Sequence, residues 1–247
     1  MEIHLQTLVS DIVAENYKAA NIFKRHQIDF CCNGQRSIQE VSELKEIDPE
    51  YLIQEINQYI QEEVESDTNY LSWDIGFLSD YIYNKHHKYV EEKSPIILEF
   101  LNKICKVHGR QHPELFDIQV LFSEAVKDLA AHMKKEELIL FPYFKKLAQI
   151  SKDDSKPINS PLFENVSSPI AVMHLEHDNE GERFRKISKL TNKYTTGEDA
   201  CTTYRVCFAM LKEFEEDLHK HIHLENNILF KKALEIEEEY KRSKALS

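Results

Sequence analysis

Apolar residues return every third or fourth position along most of the chain, and the strict alternation of a half-buried strand is hard to find. The pattern predicts helices near 8–26, 38–46, 49–64, 74–92, 95–108, 114–149, 169–194 and 200–240, so the fold class is all-α. Helix starts are signalled by a capping box at Ser37 and Glu40, and by Asp48-Pro49, Ser94-Pro95 and Ser168-Pro169, each a capping residue before a proline suited to a first turn. The polar stretch ESDTNYLSW, 65–73, divides a small helical N-terminal domain, 1–66, from a larger helical domain, 73–247. A second loop, SKDDSKPINSPLFENVSS at 151–168, parts two long helices.

The stripes that should face a core are not wholly apolar. Ile118, Phe122, Ala125 and Leu129 step on through His132, Glu136 and Tyr143, and Phe214 and Leu218 step on through His221, Glu225 and Leu229. The two segments, HMKKEELILF and HIHLENNILF, repeat His-x-x-x-Glu-x-x-x-Leu-Phe on two different helices. His108 follows Ile97, Leu101 and Ile104 at helical steps, and His177 lies between Met173 and Phe184. On the first helix of the larger domain the steps divide: Ile75, Leu78 and Ile82 lead to His86, whereas Tyr83 and Val90 lead to His87, and periodicity leans to His86. His4, His26, His112, His174, His219 and His223 read as surface or local-packing residues, with His174 and His223 as candidates to orient the others.

A carboxylate on a buried stripe costs several kcal/mol unless something binds it. Imidazoles and carboxylates without thiolates favour iron, manganese or zinc. Five His and two Glu exceed one tetrahedral zinc and suit two metals, with the two Glu side chains reaching between them as bridges. The opposing reading is a structural bundle with His–Glu pairs in its core. A net charge of −12 and a pI near 5.5 argue against a surface for nucleic acid or anionic membrane. No apolar stretch approaches the ~20 residues of a bilayer span. Five cysteines, scattered except for adjacent Cys31 and Cys32, suit a reducing, cytoplasmic compartment. Asn33 and Gly34 favour left-handed angles, so DFCCNG reads as a tight turn presenting the pair as reactive thiols, or else as small apolar filler. Cys105, Cys201 and Cys207 read as core.

The segments HMKKEELILFP, HLEHDNEGE and HIHLENNILF, together with DFCCNG, resemble the repair-of-iron-centres family, the di-iron proteins of YtfE and ScdA type. The resemblance spans nearly the whole chain and implies a hemerythrin-like four-helix bundle after a small helical domain carrying the cysteine pair. It implies metal ligands at His87, His108, His132, Glu136, His177, His221 and Glu225, and so takes His87 over His86. Asn33 stands where the family usually has glycine after the cysteines, and Lys231 where proline would follow the second Leu-Phe. The resemblance further implies two non-haem iron ions and repair of iron–sulfur clusters damaged by nitric oxide or oxidative stress. Repair would proceed by iron donation, nitric oxide reduction or both, with Cys31 and Cys32 passing iron or electrons. Damaged iron–sulfur proteins are the partners it implies and nitric oxide or oxygen the small ligand, and a homodimer is compatible with it. The alternative is a non-catalytic hemerythrin-like carrier or sensor of oxygen or nitric oxide.

Overall fold

The structure, a computed structural model, describes residues 2–62, 68–150, 163 and 165–245. The described residues are helical, with no named strand among them. The helices are α1 (Val9–Glu15), α2 (Ala19–Arg25), α3 (Ile38–Lys45), α4 (Pro49–Glu62), α5 (Ile75–Ile82), α6 (Lys88–His108), α7 (Glu114–Lys135), α8 (Phe141–Ile150), α9 (Ser167–Leu190), α10 (Thr202–Leu224) and α11 (Phe230–Ala245). Among the described residues, one compact unit takes the chain up to Leu78, 147–150 and everything from Ile222 on; the other takes 79–146, 163 and 165–221. The C-terminal helix α11 therefore belongs with α1 to α4. Part of the stretch at 65–73, and most of the loop at 151–168, lie outside the described residues.

Capping chemistry accounts for several boundaries. Ser37 and Glu40 form the expected capping box, and Asp48 accepts hydrogen bonds from the amides of Glu50 (2.9 Å) and Tyr51 (3.2 Å). The helix expected over 8–26 breaks at Asn16, whose side chain accepts from the Lys18 amide at 2.9 Å. Ser94-Pro95 is not a boundary: α6 runs through it, and the Ser94 hydroxyl donates to the Val90 carbonyl at 2.5 Å. At α9 Ser168 already lies inside the helix, and the side chain of Asn165, just before it, accepts from the Ser168 amide at 3.2 Å. That helix ends at Leu190, short of the expected 194, because Asn192, Lys193 and Tyr194 take left-handed angles.

The second unit is a four-helix bundle of α6, α7, α9 and α10. Its aromatic core sets Phe122 edge-on to Phe184 (6.4 Å between centroids) and Phe214 (5.2 Å), with Phe184 and Phe214 stacked at 5.7 Å. Each such fully buried ring contributes about 1.5–3 kcal/mol relative to exposure.

Three π-turns interrupt the rods: Tyr83–His87 between α5 and α6, Glu136–Leu140 between α7 and α8, and Glu225–Leu229 between α10 and α11. Each inserts one residue into the ladder and shifts the buried stripe by one position. Ile75, Leu78 and Ile82 thus lead to His86, and the stripe restarts at His87 through Val90, Ser94, Ile97, Leu101, Ile104 and His108. Both His86 and His87 are fully buried, which resolves the divided periodicity.

Candidate metal centre

Glu136, at the head of the second π-turn, is the meeting point of two histidine pairs. Its Oε2 lies 3.4 Å from Nε2 of His87 and 3.4 Å from Nε2 of His132. His132 Nε2 lies 3.0 Å from Nε2 of His177 on α9. The donor atoms of His87, Glu136 and His221 fall within 4.8 Å of one another, and so do those of His132, Glu136 and His177. All five side chains are buried. The rings of His87 and His221 stand 5.0 Å apart, and Phe141 stacks on His87 at 5.4 Å.

Carboxylates hold the outer nitrogens. His87 Nδ1 meets Glu137 at 3.1 Å, His132 Nδ1 meets Glu176 at 2.8 Å, and His86 Nδ1 meets Asp217 at 2.9 Å. Donating Nδ1–H to a carboxylate leaves a lone pair on Nε2. For His87 and His132 that lone pair then points at the Glu136 carboxylate, so acceptor faces acceptor in a buried site. A cation between them relieves the repulsion, and the N/O donor set without sulfur suits non-haem iron. The residues present therefore fit the implied metal. The hydrogen bond to His132 comes first among the causes that hold the Glu176 carboxyl down to about 2, with Lys135 adding to it against the cost of burial. An ionised Glu176 keeps the His132 ring turned with Nε2 toward Glu136.

His86 is turned to Asp217 and belongs to neither group, whereas His87 faces Glu136. His108 is corrected. It ends α6, 21 residues long from Lys88, so it stands roughly 30 Å from His87 at 1.5 Å per residue. Its ring packs on Tyr204 (5.3 Å) and His112 (6.4 Å) instead. Helical steps put His87 and His108 on one face, and a shared face is not a shared site. Glu225 is fully buried at the head of the third π-turn, one helical turn beyond His221 on the same rod.

The turn carrying Cys31 and Cys32 is organised by Asp29. Its Oδ1 accepts from the amides of Cys31 (3.1 Å) and Cys32 (3.0 Å) and from the Cys31 thiol (3.3 Å), and its Oδ2 accepts from the Asn33 side chain at 2.8 Å. Neither Asn33 nor Gly34 takes the expected left-handed angle. Gly34 is needed for space: a Cβ there would stand 2.4 Å from the Phe30 carbonyl oxygen and 2.9 Å from Ser10 Cβ. Cys31 is buried and Cys32 half-buried, and the hydrogen bond with Cys32, then burial, pushes the Cys31 thiol well up. Cys105 and Cys207 are core as expected, but Cys201 is exposed because it precedes α10.

Sequence reasoning missed Asp29, Glu137, Glu176 and Asp217. Asp217 carried a signal, lying three residues after Phe214 and four before His221. Glu176 adjoins His177 and points across to α7, which no one-helix pattern reveals. His223 is buried as a local-packing residue, against Tyr17 (5.8 Å), Phe30 (5.9 Å) and Asn227 (3.0 Å).

The fold and the donor set together define a helical cation-binding protein, and the chain belongs to the hemerythrin HHE cation-binding domain family, whose model matches residues 79–233. Residues 5–59 match ScdA_N, a domain of unknown function. Among particular proteins, the chain is 32% identical over 228 residues to the iron-sulfur cluster repair protein ScdA of Staphylococcus epidermidis, covering 92% of this chain and 97% of that one. It is 30% identical over 227 residues to ScdA of Staphylococcus haemolyticus, with the same coverage, and 31% identical over 217 residues to the iron-sulfur cluster repair protein YtfE of Yersinia pseudotuberculosis, covering 88% and 91%. No helix among the described residues is long and apolar enough to cross a membrane.

Proposed function

We propose that this chain is an iron–sulfur cluster repair protein whose bundle holds two iron ions. His87, His132, Glu136, His177, His221 and Glu225 would hold them. The observation that carries this reading is Glu136 Oε2 at 3.4 Å from two imidazole nitrogens whose rings are each turned by a further carboxylate. The relatives named as repair proteins, aligned over nearly their full length, support the function. Bound iron supplies a centre that takes nitric oxide or oxygen as ligand and exchanges electrons.

The chain's own residues do the rest. Glu137 and Glu176 accept from Nδ1 of His87 and His132 and so turn Nε2 of each ring toward Glu136. Phe141 covers the His87 ring and limits water there. Cys31 and Cys32 serve transfer to the damaged cluster, in a reducing cytoplasmic setting.

The test is paired on one anaerobic sample: iron per chain, and recovery of a nitric-oxide-treated iron–sulfur enzyme. About two irons and restored activity are expected. Consumption of nitric oxide without any transfer of labelled iron would assign repair to scavenging, and iron binding with neither activity would favour the carrier or sensor. One tightly held zinc in place of iron would end the di-iron reading.

A further inference from the structure

Asp29, Cys31 and Cys32 place three metal-type donors within 4.8 Å of one another, in the unit that does not hold the histidine cluster. Two sulfurs each about 2.3 Å from one tetrahedral ion stand roughly 3.8 Å apart. The Sγ atoms of Cys31 and Cys32 are 3.7 Å apart. A sulfur at about 2.3 Å and an oxygen at about 2.1 Å from the same ion stand roughly 3.6 Å apart. Cys31 Sγ is 3.3 Å from Asp29 Oδ1, so a shift of a few tenths of an ångström reaches that geometry. From this spacing we propose that Asp29, Cys31 and Cys32 bind one thiophilic divalent cation, Fe(II) or Zn(II), as two thiolates and a carboxylate with a fourth position open on the half-buried Cys32 side.

The turn is preorganised for this. The Asn226 side chain donates to the Cys31 carbonyl at 3.3 Å, and the Asn227 side chain donates to the carbonyls of Phe30 (3.3 Å) and Cys31 (3.4 Å). The peptide that carries the first sulfur is thereby fixed by two buried amides. Asn33, where the family usually has glycine, holds Asp29 Oδ2 and sets the direction of its carboxylate. The Cys31 S–H now shared with Asp29 occupies the place the ion would take. Binding replaces it: the cation enters, both thiols ionise and two protons leave, with no change in oxidation state. The donor set is sulfur-rich, unlike the bundle's, so the site prefers a softer ion and exchanges it by thiolate transfer.

The test uses the full chain with its bundle metals in place, reduced and anaerobic, titrated with Co(II) alone. Near-ultraviolet thiolate-to-Co(II) absorption should saturate at about one ion per chain, with about two protons released per ion in weak buffer. The signal is specific to sulfur, so it reads this turn whatever the histidine centre holds. Cys31→Ser with Cys32→Ser should abolish it. Asp29→Asn keeps an oxygen for the backbone amides but removes the anionic donor, and should weaken Co(II) by about 10-fold or more. Absence of the absorption in the unaltered chain would overturn the proposal. So would its survival in the double serine variant, which would move it to Cys105, Cys201 or Cys207, and so would unchanged affinity in Asp29→Asn.

Discussion

In the bundle, the donors of the candidate centre project from long helices and the π-turns between them, and the rings of His87 and His132 are each turned by a carboxylate on a neighbouring rod or turn. In the N-terminal unit, the donors sit on a short turn whose shape depends on one side chain, Asp29, and on one glycine with no room for a Cβ. The first arrangement buries nitrogen and oxygen donors completely, which favours retention of an ion. The second leaves Cys32 half-buried, which favours exchange. On the proposed roles, holding falls to rigid helices and handing over to a side-chain-stapled turn.

The largest expected effect breaks the holding side alone. Glu136→Ala removes the group common to both histidine sets, so iron should fall from about two per chain to near none. Cys31→Ala with Cys32→Ala should leave the bundle's iron and its absorption unchanged while lowering cluster repair. Metal analysis and repair rate on the same samples check both. Loss of the bundle's iron absorption in the cysteine variant would show that the two regions do not have separate jobs.

A smaller contrast separates neighbours on one π-turn. His87→Ala should lose most of the iron, whereas His86→Ala should retain it, because His86 faces Asp217 and not Glu136. In both, retention should fall as pH drops through the range of free imidazole near ~6.5, since protons compete for the ligating nitrogen. Iron held equally by the two variants would remove His87 from the site.

How much of this was legible in the chain follows from what one-dimensional patterns can carry. The helices, the His-x-x-x-Glu repeat and the burial of His132, Glu136, His177, His221 and Glu225 all follow from helical period, because they concern one rod at a time. The π-turns were not legible: a one-residue insertion looks like noise in a short window, and it is why His86 and His87 divided the period between them. His108 failed for the complementary reason, since period fixes angle around a rod and says nothing of the roughly 30 Å along it. Glu137, Glu176 and Asp217 act across helices, and Asp29 acts through a turn whose shape no period describes. Gly34 was read for its angles when its space was what mattered.

That last point makes a further prediction. Gly34→Ala puts a methyl 2.4 Å from the Phe30 carbonyl oxygen and 2.9 Å from Ser10 Cβ. Both neighbours are held, the carbonyl by Asn227 and Ser10 within α1, so neither yields readily. The expected loss is about 1–3 kcal/mol of stability in the N-terminal unit, read by hydrogen exchange on α1, with iron content unchanged. Equal loss of protection in α7 and α9 would show that the turn and the bundle unfold as one.

The smallest effect concerns a bundle carboxylate outside the histidine sets. Glu180, on α9, is buried beside Arg183, and burial raises its carboxyl to about 7 despite that cation, with Asp128 opposing ionisation further. In the unfolded chain the same group titrates near its ordinary value of 4.5. The folded state therefore binds the proton more tightly, so the stability tied to that proton is fully present below pH 4.5 and is lost as pH rises through about 7. Glu180→Gln keeps shape and hydrogen-bonding capacity but cannot ionise. Relative to the unaltered protein the variant should gain stability between pH 5 and pH 8, by about 1–3 kcal/mol at most, less whatever the pairing with Arg183 returns to the ionised form. Urea unfolding of both proteins at several pH values in that window reads the difference directly. A difference that stays flat would mean that Arg183 keeps Glu180 charged throughout, and the bundle would then tolerate an ionised carboxylate without a metal, which weakens the case that Glu136 requires one.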